Sequence, residues 1–173
     1  MTDRILLTLG TLVFAGVFYA LMLKGWRGRQ RRQGDLPPPQ PAPDRPWHVV
    51  VGATPGLFVG TASASDWLDR IAVHSLADRS AGWLTVLDTG VVIEREGLPD
   101  LYLPYDALVD AELGEALAGK VVGKGGLLLL TWRLGTRTVR SGFRADDHSQ
   151  HRRIADAVRT HLTADHTQTG EHP

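Results

Sequence analysis

Among the residues able to do chemistry, the run GEALAGKV, Gly114 to Val121, comes first. It has the G-x-x-x-x-G-K spacing of a loop whose backbone N–H groups cradle phosphates. That chemistry also needs Ser or Thr after the Lys, to ligate Mg²⁺, and a helix beyond it. Val121 has no hydroxyl, and the following VVGKGGLLLL reads as a strand. The spacing is therefore incidental, and no nucleotide cofactor is expected.

Seven His invite a metal reading. His148 and His151 are three apart, and His161 and His166 are five apart. A zinc site needs three or four convergent ligands with oriented partners behind them. Arg152 and Arg153 adjoin the first pair and would repel a cation, so solvated histidines on a helix face are expected. A Ser-His-Asp set converges only in space and leaves no linear signature. No G-x-S-x-G elbow is present. The expectation is a non-catalytic protein without metal or cofactor.

Charge distribution gives a better hint. Asp66 to Glu115 holds eleven acids and three Arg, whereas Lys120 to Arg153 holds eight bases and two acids. Lys120, Lys124, Arg133, Arg137 and Arg140 crowd the last β-rich stretch and its entrance. Such a face suits an anionic headgroup or an acidic protein partner. The plainer alternative is that neighbouring acidic and basic strands pair internally. The net charge of zero hides a basic residue 1–46 segment and an acidic remainder, which argues against nucleic-acid binding.

These residues need elements to position them. From Ile5 to Leu23 no residue is charged. At 1.5 Å per residue the run makes a helix of roughly 28 Å, close to the hydrocarbon thickness of a bilayer. It lacks the basic start and small-residue cleavage site of an export signal. The charges follow it: Lys24, Arg27, Arg29, Arg31 and Arg32, with Trp26 suited to the interface. Basic residues hold to the cytoplasmic side. The expectation is a short external N-terminus (1–4), a transmembrane helix (5–23), a basic juxtamembrane segment (24–33) and a cytoplasmic domain at the cell membrane. The same cluster would attract anionic lipid.

GDLPPPQPAPDRP, Gly34 to Pro46, cannot form a helix or inner strand. As polyproline II at about 3.1 Å per residue it would be a stiff spacer reaching up to about 40 Å. Pro38 and Pro41 make a PxxP pair on which a partner could dock. The absence of Cys removes disulfides and thiolate metal sites.

Beyond Pro46 come short apolar runs broken by Gly, Pro and Asp. WHVVVGA and LFVGTAS read as strands or a lead-in and a strand. DWLDRIAVHSL is ambiguous: Asp66 can cap a helical turn, and Arg70 to Leu76 alternates like a strand. GWLTVLDTGVVIEREG reads as a hairpin around Asp88-Thr89-Gly90. LYLPYDALVDAEL gives one or two strands bent at Pro104. A second hairpin joins Leu127–Arg133 to Thr138–Phe143 through Leu134-Gly135-Thr136-Arg137. The period then changes. Asp146 or Asp147 can cap a helix whose apolar stripe is Ile154, Val158 and Leu162, widened by Ala155. Trp67, Trp83 and Trp132 are expected as core or half-buried packing residues. Residues 164–173 are expected to be a disordered tail.

About seven antiparallel strands and then one helix resemble the pleckstrin-homology-like (PH-like) fold, two near-orthogonal sheets with a helix closing one corner. GLFVGTASASDWLDRIAVHSL, AGKVVGKGGLLLLTWRLGTR and SGFRADDH resemble a family of single-pass bacterial membrane proteins with a PH-like domain, found in high-GC Gram-positive bacteria. The resemblance implies a PH-like domain over residues 47–163 and no defined biochemical role. Phosphoinositide-binding members of the fold use basic residues between the first two strands. TASASDW has none there, which argues against inositide recognition. The resulting expectation is a membrane-anchored adaptor whose cytoplasmic domain engages a protein or anionic-lipid partner. The alternative is an envelope-facing ligand-binding or transport-accessory protein of opposite topology.

Overall fold

The computed structural model describes residues 2–117, 120–121 and 126–168, with the side chains of 9–25, 33–115, 117 and 126–164. The chain divides into two compact units between Asp35 and Leu36.

The first unit is one helix, α1 (Thr2–Arg32), which continues unbroken through the basic stretch. Its described apolar side chains, among them Leu12, Phe14, Val17, Phe18 and Leu21, are exposed. They point in all directions around the axis, so the helix has no polar side to turn toward water. Among the described residues no helix is long and apolar enough to cross a membrane. The described side chains of α1 cover only part of the apolar run from Ile5 to Leu23. Lys24 is exposed, and the side chains of Trp26, Arg27, Arg29, Arg31 and Arg32 lie outside the described residues.

The second unit holds β1 (Val49–Ser63), β2 (Ser80–Leu87), β3 (Gly90–Arg95), β4 (Leu101–Pro104), β5 (Leu108–Gly114), β6 (Ala116–Leu117), β7 (Lys120–Val121), β8 (Leu127–Leu134), β9 (Arg137–Ala145) and α2 (Ser149–Gln168). Seven strands form one antiparallel ladder in the order β4-β3-β2-β1-β9-β8-β5. WHVVVGA and LFVGTAS belong to the same strand. β1 pairs β2 from Val49 to Phe58 and β9 from Gly56 to Ser63, so it is shared by both halves of the sheet. Register shifts at Val51/Thr54 and Phe58/Gly60 bend it. Gly60 has φ 125°, a conformation a side chain would strain, and it sits at the second shift.

The inner faces of the two halves bury one core that includes Phe58, Leu84, Ile93, Leu130 and Phe143. Four consecutive Leu occur in β8 because both its faces are covered. Leu128, Leu130, Trp132 and Leu134 enter the main core, while Leu127 and Leu129 pack with Val59, Ala62 and Leu117 behind it. Leu117 comes from the small β6–β7 hairpin. Among the described residues, the segment with phosphate-loop spacing contributes two short paired strands with Leu117 buried, and the next described element is β8.

α2 closes the core with Ile154, Ala155, Val158 and Leu162, chiefly against β5. Each of the larger side chains contributes about 1.5–3 kcal/mol by leaving water. Asp147 is the cap: its Oδ1 accepts the Ser149 N–H at 2.9 Å. Hydrogen bonds from the Ser149 side chain and backbone, and from Gln150, hold its carboxyl below the ordinary carboxylate range. The first turn itself holds no acid. The helix runs on to Gln168, into the stretch expected to be a disordered tail, and residues 169–173 lie outside the described ones.

The proline-rich segment is not a free spacer. Leu36 is buried in the main core. Ala42 and Trp47 pack on Leu87, Val92 and Tyr102, which form an apolar patch on the outer face of the sheet. Arg45 pairs with Glu94 and lies 4.2 Å over the Trp47 ring, whose Nε1 donates to the Pro43 carbonyl at 2.9 Å. Pro37 approaches Gly135, where a Cβ would meet its Cδ at 2.8 Å. Residues 36–47 thus form a strap. A proline segment binds well here because it gives up little conformational freedom on docking.

Candidate functional site

The β1–β2 connection, residues 64–79, is neither the helical turn plus strand nor a flexible loop. Asp66 Oδ1 accepts the Leu68 N–H at 2.9 Å, a local turn that Asp favours. The Asp69 N–H donates to the Asp66 carbonyl at 3.0 Å, and the Ser63 N–H to the Asp69 carbonyl at 2.8 Å. His74 and Ser75 take φ of 55° and 56°, which breaks the alternation that Arg70 to Leu76 suggests. The turn lets Ile71 and Leu76 both reach the core. Trp67 and Leu68 are left at the tip, 46% and 59% exposed.

Arg95, 5% exposed, clamps this loop from beneath. Its Nη1 donates to the Ser75 carbonyl at 2.8 Å, and its Nε and Nη2 donate to the Pro99 carbonyl at 2.8 and 2.6 Å. The guanidinium sits 5.1 Å from the Phe58 ring. Burial lowers its pKa, and Asp78 and Asp100 oppose that shift. A planar fork can serve two loops at once. Sequence reasoning missed this residue, because only the partner carbonyls distinguish it from other arginines. His74 fixes the strap: its Nε2 is 2.8 Å from the Leu36 carbonyl.

Beside the loop an open recess of about 450 Å³ is lined by Ser63, Ala64, Ser65, Asp69, Arg137 and Thr138. The Ala64 N–H donates to the Thr138 carbonyl at 3.1 Å, so the last hairpin forms its far wall.

The residues expected to make a basic face separate here. Arg133 and Arg140 share one side of the β8–β9 ladder, because Arg133 pairs with Thr138 and Thr131 with Arg140. Arg133 Nη2 donates to the Asp106 carbonyl at 2.6 Å. Arg140 Nη2 is 3.3 Å from Glu112 Oε1 on β5, an internal ion pair that reaches across the intervening β8. Arg137 pairs with Leu134 at the hairpin end and lines the recess. Lys120 contributes its backbone to β7, while its side chain and all of Lys124 lie outside the described residues.

His151 is not a solvated helix-face residue. It is fully buried, and its Nε2 accepts the Ala145 N–H at 2.8 Å, with His148 stacked 5.3 Å away. His161 stacks on Tyr105 at 5.1 Å. Among the described residues no group of three His, Asp or Glu could hold a metal. Trp132 is core, its Nε1 donating to Ser141 Oγ at 2.9 Å, whereas Trp67 and Trp83 are about half exposed. Pro38 and Pro41 are both exposed, and Pro38 lines a recess with Tyr102 and Pro104.

Among solved structures, a chain of the 8S snRNP assembly intermediate superposes with a TM-score of 0.50 at 8% identity, covering 71% of this chain and 89% of that one. The C-terminal phosphotyrosine interaction domain of mouse APBB2 gives 0.47 at 12% identity, covering 72% and 94%. At such identity the first likeness shows the fold alone. No curated protein matches the chain. The family model described as bacterial PH domain-like matches residues 33–159, which takes in the strap, all nine strands and most of α2. By that match the chain belongs to the bacterial PH domain-like family.

Proposed function

We propose that this protein is a membrane-anchored adaptor: α1 spans the bilayer with its N-terminus outside, and the PH-like domain works at the inner leaflet on a protein or anionic-lipid partner. The fold is that of a binding module, and the reading is non-catalytic. One observation carries the anchoring: the described part of α1 exposes apolar side chains all round, a surface that water does not tolerate and a bilayer does. Lys24, Arg27, Arg29, Arg31 and Arg32 follow it, which favours a cytoplasmic C-terminal side. Arg137, at the recess, is the member of the basic set assigned to partner contact.

The test is topology in intact cells. A reporter that fluoresces only in the cytoplasm is fused to Pro173, and a reporter active only outside is fused to a second copy. Cytoplasmic signal with retention in the membrane fraction is expected. External signal would establish the envelope-facing alternative, and release from the membrane fraction would remove the anchor.

A further inference from the structure

We infer that His151 is a pH-sensitive latch: a second proton on its imidazole releases the first turns of α2 from the end of β9. The inference concerns the PH-like domain alone and does not depend on the anchored reading above.

His151 opens the stripe that continues with Ile154, Ala155, Val158 and Leu162, so it faces the core with them. It is fully buried. Its Nε2 accepts the N–H of Ala145, the last residue of β9, at 2.8 Å. A ring nitrogen that accepts carries no proton. The imidazole is therefore held neutral, with its hydrogen on Nδ1.

A second proton has to go to Nε2. It removes the acceptor, sets two N–H groups against each other and places a charge in the interior. All three costs disappear when the turn lifts and the ring meets water. The hydrogen bonds that begin α2, from the Gln150 and His151 N–H groups to the Asp147 and His148 carbonyls, are the local structure that lifts with it.

The surrounding charges are as follows. On the same helix His148 stacks at 5.3 Å, and Arg152 and Arg153 come next in sequence. The end of β9 and the turn after it bring Arg144, Asp146 and Asp147, all exposed. β1 and β2 carry no charged residue. On β8, Arg133 donates to the Asp106 carbonyl. On β5, Asp110 pairs with Arg159 and Glu112 with Arg140. The arginines disfavour a further positive charge, and the two aspartates, in water, offset it weakly.

The sign follows. A released His151 takes up a proton as pH falls through about 6.5, and the docked one resists it. The latch is closed above that pH and opens below it. The Asp147 cap is lost only in the more acidic carboxylate range, so the two effects occupy separate windows. Between about pH 7.5 and about pH 5 the opening equilibrium should rise by up to about 30-fold.

Amide exchange of full-length protein, corrected for the intrinsic rate, reads the opening at Ala145 against Leu84 in the core. The expected result is the rise at Ala145 and residues 149–155 with little change at Leu84. His151→Gln offers an acceptor that does not titrate and should abolish the rise, while His148→Gln should keep it. No rise in wild type, an equal rise at Leu84, or an undiminished rise in His151→Gln overturns the inference. A further readout needs no variant: the imidazole nitrogen chemical shifts of His151 should report the neutral ring until Ala145 exchange accelerates. A ring that becomes charged while Ala145 stays protected overturns the inference as well.

Discussion

The Leu36 carbonyl and His74 Nε2, 38 residues apart in sequence, meet at 2.8 Å and join the strap to the β1–β2 loop. The side chain of Leu36 enters the main core at the same place. A segment composed like a linker is thus structural, and the domain begins at Leu36, ahead of the first strand.

Leu36→Ala should destabilise the domain by about 2–5 kcal/mol, the cost of truncating a buried Leu. Chemical denaturation of full-length protein measures it, followed by the β-domain signal. A chain cut to start at Trp47 should lose more, since it also uncovers Leu87, Val92 and Tyr102. Equal stability of the cut and full chains would show the strap to be undocked in solution.

Arg95→Leu should cost about 1.5–3 kcal/mol, because the carbonyls of Ser75 and Pro99 lose a charged donor. Arg95→Lys should recover little of that, since an ammonium cannot present a fork. Amide exchange in residues 70–79 reads the local effect: it should rise in both variants, and protection like wild type in the Lys variant would refute the fork argument.

Tyr105 makes stability fall in alkali. Burial first, then Asp88 and Tyr102, pushes its pKa from 10.0 to about 12, and its hydroxyl donates to the Leu87 carbonyl at 3.0 Å. The folded state keeps this proton where the unfolded chain has lost it. Its contribution is complete below pH 10 and fades as pH rises toward 12. The urea midpoint should decline across that window, and Tyr105→Phe should flatten the decline. An unchanged slope in the variant would assign the effect elsewhere.

Asp147→Ala should weaken α2 through loss of the cap. The carboxyl is held below its ordinary range, so its stabilising effect is full above the unfolded pKa and disappears as pH falls through the folded one. Thermal unfolding near neutral pH should separate wild type from variant. At strongly acidic pH the two should converge.

The amino-acid sequence by itself determined the elements whose signals are local. The Asp88-Thr89-Gly90 hairpin, the hairpin turning at Gly135, the bend at Pro104 and the stripe of Ile154, Val158 and Leu162 all follow from turn chemistry or periodicity over a few residues. Their order was enough to reach the PH-like fold. Tertiary structure alone decided the rest. Composition could show that residues 34–46 avoid helix, but not that an apolar patch of Leu87, Val92 and Tyr102 was waiting for them. Arg140 and Glu112 pair only because β5, β8 and β9 lie side by side. His151 is buried because the end of β9 presents the Ala145 N–H to it. Trp67 and Trp132 read alike as sequence, yet one meets solvent and the other Ser141. In each case the deciding partner is supplied by packing, which brings together groups that no local pattern relates.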